Sequence, residues 1–327
     1  MPRLRRVSVS SPGFTRRRSG KGFTYLDTQG RRITDPEVLA RCRGLAVPPA
    51  WTDVWICPVD NGHVQAFGHD AAGRGQYIYH PQWRERRDRA KHDHVLLVGA
   101  RLPAARRRVA RDLRVEGMPR ERVLALAFRL LDVGYFRLGG EAYAQQNESY
   151  GLSTLLKEHV TARTDGTVQF CFPAKSGQVR ELVLDDPDVH AAVRALRARR
   201  GGERLLAWQV SSSPVEWREV TSSDVSAHVK DLLGDDASPK DFRTWHATVL
   251  AAQGLADAGA PPSSDRRRRS VVTGVVREVA AELGNTPAVC RASYIDPRLF
   301  DLWERGRTIS PTRSTRAAEA AVLDLLG

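Results

Sequence analysis

The apolar positions of this chain change their period twice. Between residues 22 and 83 they come in short runs broken by Gly, Pro and Asp. Phe23-Thr24-Tyr25-Leu26, Val54-Trp55-Ile56-Cys57, Val64-Gln65-Ala66-Phe67 and Gln76-Tyr77-Ile78-Tyr79 predict strands. Asp27-Thr28-Gln29-Gly30 and Asp60-Asn61-Gly62 predict turns, and a helix is predicted over 36–42. Farther along, apolar residues three and four apart predict helices over 102–113 and 120–133, the second started by Pro119. Between Gly166 and Leu184 the period returns to two. Two alternating segments there flank Pro173-Ala174-Lys175-Ser176-Gly177, which predicts a hairpin with Lys175 at its tip. Helical spacing resumes over 187–199, 222–233, 239–258, 266–283 and 314–326. The order of elements predicts an α+β protein: a small β-rich N-terminal domain and a larger, mainly α-helical domain with a small sheet.

With 327 residues the chain is long enough for two cores. Residues 1–20 are rich in Arg and Ser and read as a basic, mobile tail. The charged stretch over 84–94 reads as a linker. The expected domains are therefore 21–90 and 91–327.

Charge narrows the class of partner. The net charge is +13, and Arg3, Arg5, Arg6, Arg16, Arg17, Arg18 and Lys21 fall in one segment without an acid. Such clustering points to a polyanion, most simply nucleic acid. Arginine is the main cation; Lys21, Lys91, Lys157, Lys175, Lys230 and Lys240 are the lysines. Arginine suits bidentate phosphate contact but is a poor proton donor, so a general acid must be sought elsewhere. Cys42, Cys57, Cys171 and Cys290 are far apart, form no C-x-x-C pair, and read as reduced thiols. No apolar run approaches membrane-spanning length, and no apolar leader follows the N-terminal Met-Pro-Arg-Leu-Arg-Arg, so a cytoplasmic protein is expected.

A few residues carry candidate chemistry. Tyr294 ends the stretch Gly284-Asn285-Thr286-Pro287-Ala288-Val289-Cys290-Arg291-Ala292-Ser293. A tyrosine that attacks a phosphodiester needs its proton removed, donors on the non-bridging oxygens and a proton for the leaving oxygen. Arg137 in Tyr135-Phe136-Arg137-Leu138-Gly139-Gly140 is either a helix-terminal charge or a phosphate ligand. Arg243 opens an apolar helix and either pairs with Asp241 or meets phosphate at the helix N-terminus. Lys175 is either an ordinary hairpin lysine or a group reaching into a groove. Asn285 either caps the segment after it or donates its amide to a phosphate oxygen. Tyr294 itself is either a core aromatic or the nucleophile. Residue types and spacing alone support a DNA-binding protein without establishing an enzyme.

Several ordered motifs add a resemblance. Val47-Pro48-Pro49-Ala50-Trp51-Thr52-Asp53-Val54-Trp55, Gly62-His63-Val64-Gln65-Ala66 and Gly73-Arg74-Gly75-Gln76-Tyr77-Ile78-Tyr79-His80 lie in the N-terminal part. Tyr135–Gly140, Tyr150-Gly151-Leu152, Phe172–Gly177, Asp241-Phe242-Arg243-Thr244-Trp245 and Thr286–Tyr294 follow. With these the chain resembles the bacterial, poxvirus-like type IB DNA topoisomerases from about Gly22 to at least Arg298.

The resemblance implies the tyrosine recombinase/topoisomerase IB catalytic fold and relaxation of positive and negative supercoils. It implies Tyr294 as the nucleophile forming a 3′-phosphotyrosyl link, Arg137 and Arg243 on the non-bridging oxygens, and Lys175 as the acid for the 5′ oxygen. Many relatives carry histidine at position 285. Asn285 can donate a neutral hydrogen bond there but cannot add charge or relay a proton. Gln76, Tyr77 and Tyr79 match a strand that faces the major groove in the viral relatives, with Tyr25 expected nearby. The resemblance further implies a monomer that clamps double-stranded DNA in the nucleoid, with no membrane, nucleotide, metal or other cofactor. No G-x-x-x-x-G-K-[ST] loop or acidic metal cluster is apparent, and His63, His69 and His80 read as structural or DNA-facing. A tyrosine recombinase is the nearest rival, but it usually has histidine where this chain has Lys240. A non-catalytic DNA-binding protein on the same fold is the other.

Overall fold

The computed structural model describes residues 3–327, and at positions 142, 143, 145 and 176 the backbone only. Two compact units divide the chain between Lys91 and His92.

The first unit is built on β1 (Phe14–Ser19), β2 (Gly22–Leu26), α1 (Pro36–Gly44), β3 (Thr52–Ile56), β4 (Val64–His69) and β5 (Gly75–Tyr79). The strands form one sheet in the order β2-β1-β3-β4-β5, antiparallel throughout. Part of the segment expected to be a mobile tail is therefore β1, paired on both sides. A ladder needs only backbone groups, so a strand can carry Arg16, Arg17 and Arg18 wherever their heads find water or acceptors. Arg16 does the latter: it donates to the carbonyls of Val47, Pro48 and Trp51, and lies 4.1 Å from the Phe23 ring centre. Tyr25, Cys42, Val47, Val54, Ile56 and Ala66 form one small core, and Trp55, Cys57 and Val64 another. Tyr25 thus packs in a different cluster from Tyr79, contrary to the expected neighbourhood.

The charged 84–94 stretch is not a loop. It belongs to α2 (Pro81–Asp112), a single helix that contains the boundary between the units. Arg, Glu, Lys and Ala are good helix formers, and no Gly or Pro interrupts the run before Gly99.

The second unit continues with α3 (Arg120–Gly134) and α4 (Glu141–Asn147). A three-stranded sheet follows, β6 (Val160–Ala162), β7 (Thr167–Pro173) and β8 (Val179–Asp185), in the order β6-β7-β8. Next come α5 (Pro187–Ala198), the hairpin β9 (Ala207–Ser212) and β10 (Val215–Glu219), and α6 (Ser222–Leu233). The chain ends with α7 (Pro239–Asp257), α8 (Asp265–Leu283), α9 (Pro287–Ser293), α10 (Arg298–Glu304) and α11 (Thr315–Leu326). α7 is the central helix: Phe242 and Trp245 are fully buried, and a Cβ at Gly99 of α2 would come within 2.7 Å of the Trp245 ring. Among the described residues no helix is long and apolar enough to cross a membrane.

Candidate active site

The site begins where α8 stops. Gly284 adopts the left-handed conformation at φ 61°, which glycine reaches without a Cβ penalty. The Gly284 N–H donates to the Ala281 carbonyl and the Asn285 N–H to the Ala280 carbonyl, so the helix ends in a Schellman motif. That leaves the carbonyls of Glu282, Leu283 and Gly284 to find donors elsewhere. Each accepts from a different arginine: Arg180 Nη2 at 2.7 Å, Arg243 Nη2 at 2.7 Å and Arg137 Nη2 at 3.0 Å. The negative end of α8 thus offsets the repulsion among three guanidiniums.

Arg137 reaches this point from the segment after α3. Tyr135 closes α3 in the left-handed conformation, and the chain then continues without regular secondary structure to Gly140. Arg137 and Leu138 offer their carbonyls to the N–H groups of Leu152 and Ser153. Gly139 and Gly151 touch backbone to backbone, and a Cβ at Gly151 would come within 2.4 Å of the Gly139 Cα. The Tyr135–Gly140 and Tyr150–Leu152 motifs are therefore two sides of one contact.

Arg243 projects from the first turns of α7, only 3% exposed. Asp241 is not its partner. Asp241 caps the helix by accepting from Ser238 N at 2.8 Å, and it also faces His94 Nε2 at 3.3 Å. Arg243 donates instead to the carbonyls of Tyr135 and Leu283. Its guanidinium carbon lies 5.3 Å from the centre of the Tyr294 ring. Burial, followed by the charge of Arg137, pushes the Arg243 pKa down to about 10, against the opposing pull of Tyr294.

Asn285 does not cap α9. Thr286 does, accepting from Val289 N with its hydroxyl, and Pro287 follows at the first helical position. The Asn285 side chain is occupied on one end: its Oδ1 accepts from Arg137 Nη2 at 2.5 Å. A guanidinium has no acceptor, so this contact fixes which end of the amide is oxygen. Nδ2 is left buried without a partner among the described residues, as is Arg243 Nε. Tyr294 terminates α9, half-buried against the core.

The hairpin forms as the alternation predicts. Lys175 lies in the 3-10 turn Lys175–Gly177 between β7 and β8, and is exposed. Its neighbour Ala174 lines a pit of about 20 Å³ together with Arg137, Arg180, Arg243, Tyr135 and Leu283. The structure thus gathers Arg137, Arg243, Asn285 and Tyr294 by direct contacts, and sets Lys175 at the tip of a hairpin rooted in the same pit. Arg180 is the residue that sequence reasoning passed over. Its signal was present: it occupies an inward position of a strand whose other inward positions are Leu182 and Leu184.

The family model for the eukaryotic DNA topoisomerase I catalytic core matches residues 80–301, and that for the bacterial DNA topoisomerase IB N-terminal domain matches residues 22–70. The chain belongs to the type IB DNA topoisomerases. DNA topoisomerase 1B of Acanthamoeba polyphaga mimivirus is 27% identical over 298 residues, covering 89% of this chain and 88% of that protein.

The topoisomerase supports its site from behind through a buried ionic network. Arg106 holds Asp132 through two bonds of 2.8 Å and Glu319 through bonds of 2.6 and 2.8 Å. His246 Nε2 lies 3.0 Å from Asp132 Oδ1. His246 is three residues past Arg243, and Asp132 three before Tyr135, whose carbonyl Arg243 uses. The network joins α2, α3, α7 and α11 around the floor of the site. Burial works to raise the Asp132 pKa, but the hydrogen bonds from His246 and Arg106 overcome it and hold the carboxyl well below its usual range.

In the first unit, Tyr77 and Tyr79 of β5 stack with ring centres 5.8 Å apart, and Tyr77 lies against Phe67 at 4.8 Å. Tyr77 remains 45% exposed, which a purely packed aromatic would not be. Gln76 is already engaged, donating to Asp70 Oδ2 at 3.0 Å. His63 takes a structural role, accepting from Val7 N at 3.1 Å. Cys42, Cys57 and Cys290 are buried thiols and Cys171 is exposed. Among the described residues no His, Cys, Asp and Glu group forms a cluster that could hold a metal.

Proposed function

We propose that this type IB topoisomerase relaxes positive and negative supercoils by transient cleavage of one strand of double-stranded DNA, with Tyr294 as the nucleophile. The Tyr294 phenolic oxygen attacks the phosphorus and the bond from phosphorus to the 5′ oxygen breaks. The products are a 3′-phosphotyrosyl link and a 5′-hydroxyl. Lys175 Nζ gives its proton to the departing oxygen, and the phenolic proton passes to solvent or a neighbouring base. The cut strand rotates about the intact one, and the reverse attack reseals it. One phosphodiester replaces another, so neither a nucleotide nor a metal enters the energy balance. A monomer contains every residue this scheme uses, and it works wherever the cell holds its DNA.

The observation that carries this reading is the pair of buried, unpartnered donors, Asn285 Nδ2 and Arg243 Nε, beside the guanidinium of Arg137. A buried donor without an acceptor costs about 1–3 kcal/mol. An anionic oxygen supplies the acceptor, and it does so best when its charge is greatest, in the transition state. Arg243 against the Tyr294 ring brings the attacking residue to the same place. Membership of the topoisomerase family favours this scheme over strand exchange by a recombinase.

The test is relaxation of supercoiled plasmid by pure protein in EDTA without ATP, beside Tyr294→Phe. Wild type should relax both signs of supercoil and leave a covalent protein–DNA adduct on denaturation; Tyr294→Phe should do neither while still binding DNA. An adduct that persists in Tyr294→Phe would overturn the assignment.

A further inference from the structure

Arg180 has no part in the scheme above, yet its position is costly. On β8 the side chains of Arg180, Leu182 and Leu184 point inward, and Arg180 stands opposite Phe172 of β7, which is buried. A cation there gives up hydration, and burial lowers the Arg180 pKa from the usual arginine value. The hydrogen bond from Nη2 to the Glu282 carbonyl at 2.7 Å compensates. Nη1 lies so near Gly284 that a Cβ there would approach it to 3.0 Å. The side chain therefore spans from the hairpin strand to the last turn of α8.

Those two ends carry different parts of the chemistry. Five residues before Arg180 in the same hairpin is Lys175. One residue past Gly284 is Asn285, held by Arg137. The inward side chains Phe170, Phe172 and Leu184 are buried, but the tip is exposed, and Val179 and Val183 on the outward face are 62% and 49% exposed. An exposed tip leaves its lysine poorly aimed unless the strand beneath it is anchored, and proton transfer requires the donor within hydrogen-bond reach of the leaving oxygen.

We propose that Arg180 is a positioning residue for proton transfer. It ties the Lys175 turn to the C-terminal end of α8, so that the acid is aimed at the phosphate held at Arg137 and Asn285. The inference rests on the assignment of Lys175 as general acid.

The test compares two leaving groups. A duplex is made with sulfur in place of the bridging 5′ oxygen at a site the wild-type enzyme cleaves. A thiolate leaves without a proton, its conjugate thiol having a pKa of about 8.5. Single-turnover formation of the covalent adduct is then measured on the oxygen and sulfur duplexes. Arg180→Met keeps the volume of the stem and removes the hydrogen bond; Arg180→Lys keeps the charge and a shorter donor. Arg180→Met should slow cleavage of the oxygen duplex on the order of 10–100-fold. The sulfur duplex should be cleaved within about threefold of the wild-type rate, with DNA affinity within about twofold, because only the proton donor has been disturbed. Arg180→Lys should fall between the two. Equal slowing on both duplexes, no slowing on either, or a loss of affinity that accounts for the slowing would overturn the proposal. Lys175→Ala is the control: if sulfur does not rescue it, the general-acid assignment itself fails. If the wild type forms no adduct, the nucleophile assignment fails first. Thermal melting of each variant identifies one that has lost its fold, and the tie is then judged on Arg180→Lys.

Discussion

Arg137 and Asn285 share one hydrogen bond of 2.5 Å, and it leaves the Asn285 amide with its donor end buried and unpartnered. The acceptor end of the amide orients the side chain, and in the proposed scheme the donor end meets the phosphate. On that scheme the division of labour lets an asparagine serve where the resemblance leads one to expect an imidazole. It also predicts how the position responds to change. Asn285→Ala should slow single-turnover cleavage by about 10²–10³-fold, the usual cost of losing one preorganised donor. Asn285→His should stay within about tenfold of wild type, because a ring N–H can replace the amide donor. Asn285→Asp should be slower than Asn285→Ala, since it sets a carboxylate beside the phosphate. Rates of adduct formation on one duplex decide all three.

Arg243→Lys should fail despite keeping the charge. The fork of Arg243 serves the carbonyls of Tyr135 and Leu283 at once and still has Nε to offer. One ammonium cannot do this in the same plane. A loss of about 10²-fold or more in cleavage, with duplex affinity nearly retained, is the expected outcome.

The same arginine sets an alkaline limit. The folded protein holds the Arg243 proton more weakly than the unfolded chain does, with its pKa pushed down to about 10 by burial. The cost of burying the cation is therefore fully present below about pH 10, shrinks as pH rises above that value, and is gone only above the ordinary arginine pKa. In the proposed scheme activity runs the other way, because the charged form is the one that would meet phosphate. In a titration, kcat/KM, which reports the free enzyme, should fall as pH rises through about 10. The rate with DNA already bound should hold to higher pH, since the phosphate stabilises the cation.

The Asp132 network should govern stability more than chemistry. Its carboxyl is held well below the usual range, so its contribution is fully present above about pH 4 and is lost as acid protonates it. Asp132→Asn should cost about 3–5 kcal/mol at pH 7, because Arg106 and His246 lose a buried partner. Urea unfolding at pH 7 and in acid tests the sign: the gap between variant and wild type should narrow below pH 4.

Tyr77→Ala separates recognition from reaction. The exposed ring carries no charge, so its removal should weaken duplex binding without changing the slope of log affinity against log salt. Adduct formation from saturated complex should be unchanged. A change in salt slope would mean that the β5 face acts through charge rather than through its aromatic surface.

Much of this architecture is legible in the sequence. Helices α3, α5, α6, α7, α8 and α11 announced themselves by apolar spacing and by Pro or Ser, Thr and Asp at their starts, all of which are local signals. The hairpin with Lys175 at its tip was legible because its period is strict. β1 was not, since its arginines resemble a solvated tail, although its partner β2 follows after only Gly20 and Lys21. The join between α2 and the charged stretch is not legible from charge, which suggests a linker, although the residues favour helix. At the site, the residue types of Tyr294, Arg137, Arg243 and Asn285 were visible. Their true partners were not, because Arg137, Arg180 and Arg243 are held by main-chain carbonyls, which have no letter in a sequence.

Carbonyls accept hydrogen bonds whatever side chain sits above them. Glu282 and Leu283 hold the arginines by hydrogen bonds from their backbone, to which the Glu282 carboxylate adds only a favourable charge near Arg180. What cannot move is the point at which the helix ends. Lengthening α8 by one residue would rotate each acceptor by about 100° around the axis and hand the three arginines the wrong carbonyls. What this corner specifies is thus a length, marked by Gly284, rather than a choice of side chains.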